Sequence, residues 1–284
     1  MATDSMTVRS KVGDFIRRNP TIVVGATLLA LITLAALFAP FIARDPIAFE
    51  PINRLRGPSA DFWLGTDSLG RDVYARMIYG ARISLMVGLL VALISIISGA
   101  VIGLLAGYFS KVDAVVMRLM DGIMAIPSIL LAIALVALLG SSVKVVIIAI
   151  AIPEIPRVTR LVRAVVLSVR DLPFVEAARS NGTRVTKLLR RHILPSTVAP
   201  LIVQATYICA SAILTEAGLS FLGAGTPPEF PTWGNMIASS RLYLQIAPWT
   251  IFAPGICLAL VVLAVNLLGD GLRDRLDPRI SRRM

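Results

Sequence analysis

Charge is scarce in this sequence: only 16% of its 284 residues are Asp, Glu, Lys or Arg, against 56% hydrophobic. Histidine is represented by His192 alone, and the two cysteines, Cys209 and Cys257, both lie inside apolar runs. Neither a disulfide framework nor a metal cluster can be assembled from that set. No G-x-x-x-x-G-K-[ST] phosphate loop occurs, so there is no backbone cradle for the phosphates of ATP. The lack of a Ser, His and acid set and of a histidine pair leaves an intramembrane hydrolase without its machinery. Low-complexity segments and visible internal repeats are also missing.

What is present prefers oil to water, with a mean hydropathy of +0.81. Five stretches are free of Lys, Arg, Asp and Glu: 19–43, 83–110, 122–143, 193–215 and 242–269. Each exceeds the ~20 residues that cover a bilayer core at ~1.5 Å per residue. A sixth candidate, 145–166, is interrupted by Pro153, Glu154, Pro156, Arg157 and Arg160. The net charge of +11 is dealt out between the apolar runs instead of gathering on one wet face, which argues against nucleic acid.

Orientation decides the sixth candidate. If it spans, the N-tail, the loop with Lys111 and Arg118, the 157–191 segment and the C-tail share one side and hold about 20 of the 28 basic residues, the bias of cytoplasmic segments. The segment 44–82 counts against this with six arginines, which Asp45, Glu50, Asp61, Asp67 and Asp72 nearly balance. The sequence therefore predicts an all-α membrane protein of six transmembrane helices with both termini cytoplasmic. The expected organisation is an N-tail (1–18), a first helix (19–43), an outer segment (44–82) and a core (83–284). The core divides into helices at 83–110, 116–140, 143–164, 196–217 and 247–269, a cytoplasmic coupling-helix loop at 168–195 between helices four and five, an outer segment at 218–241 and a C-tail at 270–284.

The inner segment 157–195 is too long for a plain helix connection, normally 2 to 8 residues. Asp171 and Pro173 suit a helix start; Asn181 and Gly182 suit its end. The small pair Ala177 and Ala178 allows another surface to approach, and a short amphipathic helix of this kind fits a partner's groove. Its spelling, Glu176-Ala177-Ala178, then Gly182, then Leu194-Pro195, resembles the coupling signature of ABC importer permeases, with His192 where many have Ile. Further stretches resemble the dipeptide, oligopeptide and nickel branch. They are Leu64-Gly65-Thr66-Asp67, Leu69-Gly70-Arg71-Asp72, Tyr79-Gly80-Ala81-Arg82, Leu219-Ser220-Phe221-Leu222-Gly223, Trp233-Gly234-Asn235-Met236, and the tail from Asn266 to Asp274 followed by Leu276-Asp277-Pro278-Arg279.

The resemblance implies a bacterial cytoplasmic-membrane subunit, not itself an enzyme, forming half of a translocation pathway. Its implied partners are a second homologous permease, two ATP-binding subunits, an extracytoplasmic solute-binding protein and membrane lipid. ATP and Mg would be used by those ATPases, and no cofactor is expected on this chain. Peptide cargo is the leading reading; nickel, glutathione or opine and sugar cargo, and an ion-gradient-driven secondary transporter, are the alternatives. Glu176, Ala177, Ala178, Gly182, Leu194 and Pro195 are the expected ATPase-coupling residues. Glu216, Arg71, Asp72 and Trp233 are candidates for pathway or binding-protein contact, with Arg76 and Tyr243 beside them.

Other positions have local explanations. Asp121 is expected to pair with Arg118 one turn away, and Glu154 with Arg157 or Arg160. Gly99, Gly103 and Gly107, spaced by four, predict a close helix contact, and Pro127 a contact or a kink. A lone His192 reads as a packing or capping residue, not a metal ligand.

Overall fold

The computed structural model describes Arg17 and residues 19–276; the rest of the N-tail, and the tail from Asp277 onward with its Asp277-Pro278-Arg279 motif, lie outside the described residues. Among the described residues the regular elements are all helical, apart from an isolated antiparallel bridge between Thr66 and Asp72. The first long helix, α1 (Pro20–Leu37), is followed by a single turn, α2 (Ala39–Ile42). Pro40 lacks the N–H that would continue the ladder to Ala36, which accounts for the break.

Helix α3 (Val73–Tyr108) begins ten residues before its apolar run and is about 54 Å long at ~1.5 Å per residue. The apolar run expected as a single third helix is two: α4 (Ser110–Met124) and α5 (Ser128–Leu139), bent by 87°. Pro127 cannot donate a helical hydrogen bond, and Ala125–Pro127 fall between the helices. Helix α6 (Val143–Val169), by contrast, runs unbroken through Pro153 and Pro156. The Ser142 hydroxyl caps it by accepting from the Val145 N–H at 3.2 Å.

After α6 come α7 (Pro173–Ser180) and α8 (Val185–Leu188), a π turn at Leu189–Ile193, and α9 (Leu194–Phe221). Pro195 lacks the N–H that an α-helix would direct at Arg191, and the wider turn accommodates it. Helix α10 (Trp233–Ser240) and the last helix, α11 (Trp249–Leu276), complete the chain. By length and composition α1, α3, the continuous rod Val185–Phe221 and α11 can each cross a membrane, and the α4–α5 pair makes a fifth. Helix α6 does not reach that composition because of its charged residues.

Helices α3 and α6 form the most intimate pair. At Gly99, Gly103 and Gly107 a Cβ would fall 2.5–2.8 Å from Val158, Val162 and Val166 respectively, so each valine occupies the space a side chain would need. Opposite this stripe Leu89, Leu93, Ile97, Val101 and Leu105 are all exposed, an apolar face suited to lipid or a neighbouring subunit. Helix α9 lies between α3, α6 and α11, and α1 packs along α11.

Candidate functional site: the segment between α6 and α9, and the far end of the bundle

Helix α7 stands out from a rigid support. It starts at Pro173, where the missing N–H costs nothing, and closes in a Schellman arrangement. The Gly182 N–H donates to the Arg179 carbonyl at 2.9 Å and the Thr183 N–H to the Ala178 carbonyl at 3.1 Å. Gly182 has φ +71° with open space where a Cβ would lie, so backbone conformation and not crowding asks for glycine. Val175, Leu188 and Ile193 are buried and join the core that holds Val166 and Val169 of α6. Arg170 donates to the Gly107 carbonyl at 3.0 Å, and Arg179 stacks over the Tyr108 ring at 5.8 Å, tying the segment to the last turn of α3 as well.

What faces outward is Glu176 and Ala177, flanked by Leu172 and Phe174. Ala178 is half-buried against its own core, so the small pair divides: Ala177 is open to an approaching surface and Ala178 supports the helix from beneath. Leu194, half-buried, and Pro195, exposed, open α9 directly after the π turn that contains His192.

At the opposite end of α3 the chain folds into a clasp. The Asp67 carboxylate accepts from the backbone N–H groups of Leu69 and Arg71 at 2.8 and 3.0 Å and from Arg71 Nε at 2.7 Å; Arg76, only 2% exposed, lies 3.7 Å away. Asp72 caps α3 by accepting from the Tyr74 N–H at 2.9 Å. Burial pushes its carboxyl above the usual carboxylate range, outweighing the Tyr74 and Ala75 amides and Arg44. Trp233 is buried and its Nε1 donates to the Met77 carbonyl at 3.0 Å.

Glu216 is 1% exposed near the end of α9. Its Oε1 accepts from the hydroxyls of Ser220, Thr226 and Thr232 at 2.9, 3.1 and 3.0 Å, while Oε2 has no partner. Asn235 fastens the same loop through the carbonyls of Thr226 and Pro227, at 3.0 Å each. Glu216, Arg71, Asp72 and Trp233 thus all direct polar groups to partners within the chain. The hydroxyl set around Glu216 was not visible in sequence, since Thr226 and Thr232 lie in a loop without periodicity.

Residues 99–282 match the family of binding-protein-dependent transport system inner membrane components. The chain belongs to this family. Residues 15–58 match the N-terminal TM domain of oligopeptide transport permease C. A relative from Sinorhizobium fredii, named "Probable peptide ABC transporter permease protein", is 60% identical over 94% of this chain and 92% of its own. The dipeptide transport system permease protein of Alkalihalophilus pseudofirmus is 45% identical over 94% and 88%. A solved structure of the MetNI methionine ABC transporter, in an inward-facing conformation, shares the fold with a TM-score of 0.57 and 17% identity, covering 71% of this chain and 96% of that one.

The protein is therefore a multi-pass inner-membrane permease and not an enzyme, and the ion-gradient alternative is not favoured. Within this permease the ionisable groups near the α4–α6 contact find specific partners. Glu154 accepts from Arg157 Nη1 at 2.7 Å, the local pair its spacing suggests. Asp121 pairs with Arg160 of α6, not with Arg118 of its own helix. Helix α4 lies across α6, and a neighbouring helix's guanidinium there replaces the weaker same-helix pair. Cys209 and Cys257 are both free.

Proposed function

We propose that this permease forms half of the translocation pathway of an ATP-driven peptide importer, the other half coming from a second homologous permease. The relatives named for peptide and dipeptide transport align with it over 94% of its length, which supports peptide cargo over nickel, opines or sugars. In this reading α6 is the sixth span, both termini are cytoplasmic, and lipid surrounds the exposed apolar faces. Two ATPase subunits bind ATP and Mg, and this chain holds no cofactor.

The observation that carries the reading is the exposed Glu176–Ala177 surface on a helix whose other face is locked to α3 and α6. A ligand can bias a conformational equilibrium only through contacts that differ between states, and a rigidly mounted helix in a groove of an ATPase subunit supplies them. Gly182 closes that helix, and Leu194 and Pro195 join it to α9. The clasp around Arg71 and Asp72, with Trp233 and the Glu216 loop, receives the extracytoplasmic solute-binding protein. Two measurements test the proposal. In the assembled transporter a cysteine at Ala177 crosslinks to an ATPase subunit, and proteoliposomes take up a labelled dipeptide only with ATP and binding protein present. Uptake that persists without ATP, or protease access to α7 from the outside of the cell, overturns it.

A further inference from the structure

Helix α6 carries an ion pair near its midpoint. Arg157 is the fifteenth of 27 residues, about 21 Å from the start of a helix of about 40 Å, which on the topology proposed above places it in the inner half of the span, where the basic 157–191 segment begins. Ionisable groups at that depth are expensive and face cavities or partners. Glu154 is 6% exposed, with Oε1 on Arg157 and Oε2 unpartnered. Arg157 by contrast has a side chain 40% exposed, and Nη1 to Glu154 is the bond it makes among the described residues.

That guanidinium lines a cleft of about 330 Å³. Pro153 and Arg157, one turn apart, form one wall; Ile123, Pro127, Ser128 and Ile129 of the α4–α5 elbow form the other. Interrupted backbone at membrane depth is tolerated only where it is buried in protein or lines a cavity. Helix α5 starts in the cleft and no side chain caps it, so its first amides and the positive end of its dipole add to the field of Arg157. Beside the cleft, and sharing Ile123 and Ile126 with it, is a groove of about 850 Å³ lined chiefly by apolar side chains of α4 and α5.

We propose that the cleft is a transit subsite for the terminal carboxylate of the cargo, with Arg157 as the binding group, Glu154 as its positioning residue and the larger groove receiving the cargo's apolar side chain. The cleft is near the lower limit of small-molecule sites, roughly 300 Å³, which suits one end of a short peptide and not a whole chain. A guanidinium with free donors matches a carboxylate's two oxygens. A phospholipid phosphate shares this anionic chemistry, and the comparison of free acid with amide below separates the two sources, since a bound lipid would not make transport depend on the cargo's carboxylate. This inference rests on the peptide reading given above.

The test uses the complete transporter in proteoliposomes, with the binding protein preloaded with a dipeptide or with the same dipeptide as its C-terminal amide. Wild type is expected to move the free acid at least about tenfold faster, the scale of one charge-assisted contact. Arg157→Gln removes the preference, so that free acid and amide move at the same rate, and Arg157→Lys restores part of it. A merely structural role would slow both compounds alike. If Arg157→Gln retains the preference, or slows both equally, this inference fails alone; if wild type moves neither compound, the peptide reading fails and takes this inference with it.

Discussion

Arg163 of α6 holds Asp113 of α4 with two prongs, Nη2 to Oδ2 at 2.6 Å and Nε to Oδ1. Eight residues further along α4, Asp121 meets Arg160, only three residues from Arg163 on α6. Pairs so widely spaced on one helix and so closely on the other make α4 cross α6 obliquely and fix the elbow that leads into α5. Asp113→Ala is expected to lower stability by about 1 kcal/mol, the range of a forked but part-exposed pair. The exchange Asp113→Arg with Arg163→Asp recovers part of it, as thermal unfolding in detergent measures.

The α3–α6 contact predicts a steeper cost for a small change. At Gly103 a Cβ would lie 2.7 Å from the Thr159 carbonyl oxygen, which is backbone and cannot swing away. Gly103→Ala forces the helices apart and is expected to cost about 1–3 kcal/mol. The same change at Gly255, where the space is open, leaves stability nearly unchanged. Abundance of the folded protein in the membrane separates the two.

Removal of Glu216 leaves three hydroxyls around an empty acceptor position. Glu216→Ala is expected to destabilise by about 2–4 kcal/mol, from lost hydrogen bonds and a cavity together. Glu216→Gln costs less, because its amide oxygen still accepts from Ser220, Thr226 and Thr232. Limited proteolysis reports the effect locally, with cleavage between Gly223 and Thr232 rising in the alanine variant first.

Gly182 separates backbone strain from crowding, since nothing lies within 4 Å of its missing Cβ. Gly182→Val places a β-branched residue at φ +71° and is expected to cost at least about 1–2 kcal/mol, opening the C-terminus of α7. Gly182→Asn, which tolerates the left-handed region, costs less. The ratio of ATP hydrolysed to solute taken up rises in the valine variant and stays near the wild-type ratio in the asparagine variant.

Patterns confined to one helix were the legible ones. Glycines four apart announced the α3–α6 contact because a stripe without side chains has few other uses, and Gly182 announced the end of α7 because glycine accepts positive φ. The break at Ala125–Pro127 is half legible: Pro127 marks a contact or a kink, but hydropathy does not fall across it and a proline is compatible with a continuous helix, as Pro153 and Pro156 demonstrate in α6. Sequence pairs Asp121 with Arg118 because it exposes only neighbours on the same helix, whereas Arg160 arrives through the packing of α4 on α6. The hydroxyls around Glu216 come from a loop and a helix end, whose meeting depends on the placement of α10. Ala177 and Ala178 looked alike in sequence and differ only because one side of α7 is pressed against the Val166–Val169 core.

The helical continuity from Val185 to Phe221 has a consequence for timing. The π turn widens the helix without interrupting it, so one helix of 37 residues, about 55 Å, has the segment that follows α7 at one end and the Glu216 hydroxyl cluster close to the other. On the coupling proposed above, a displacement at Val185 is passed along one continuous backbone toward the loop at Thr226. In that proposal covalent continuity synchronises access on the two sides of the membrane, and no separate signal has to pass from one face to the other.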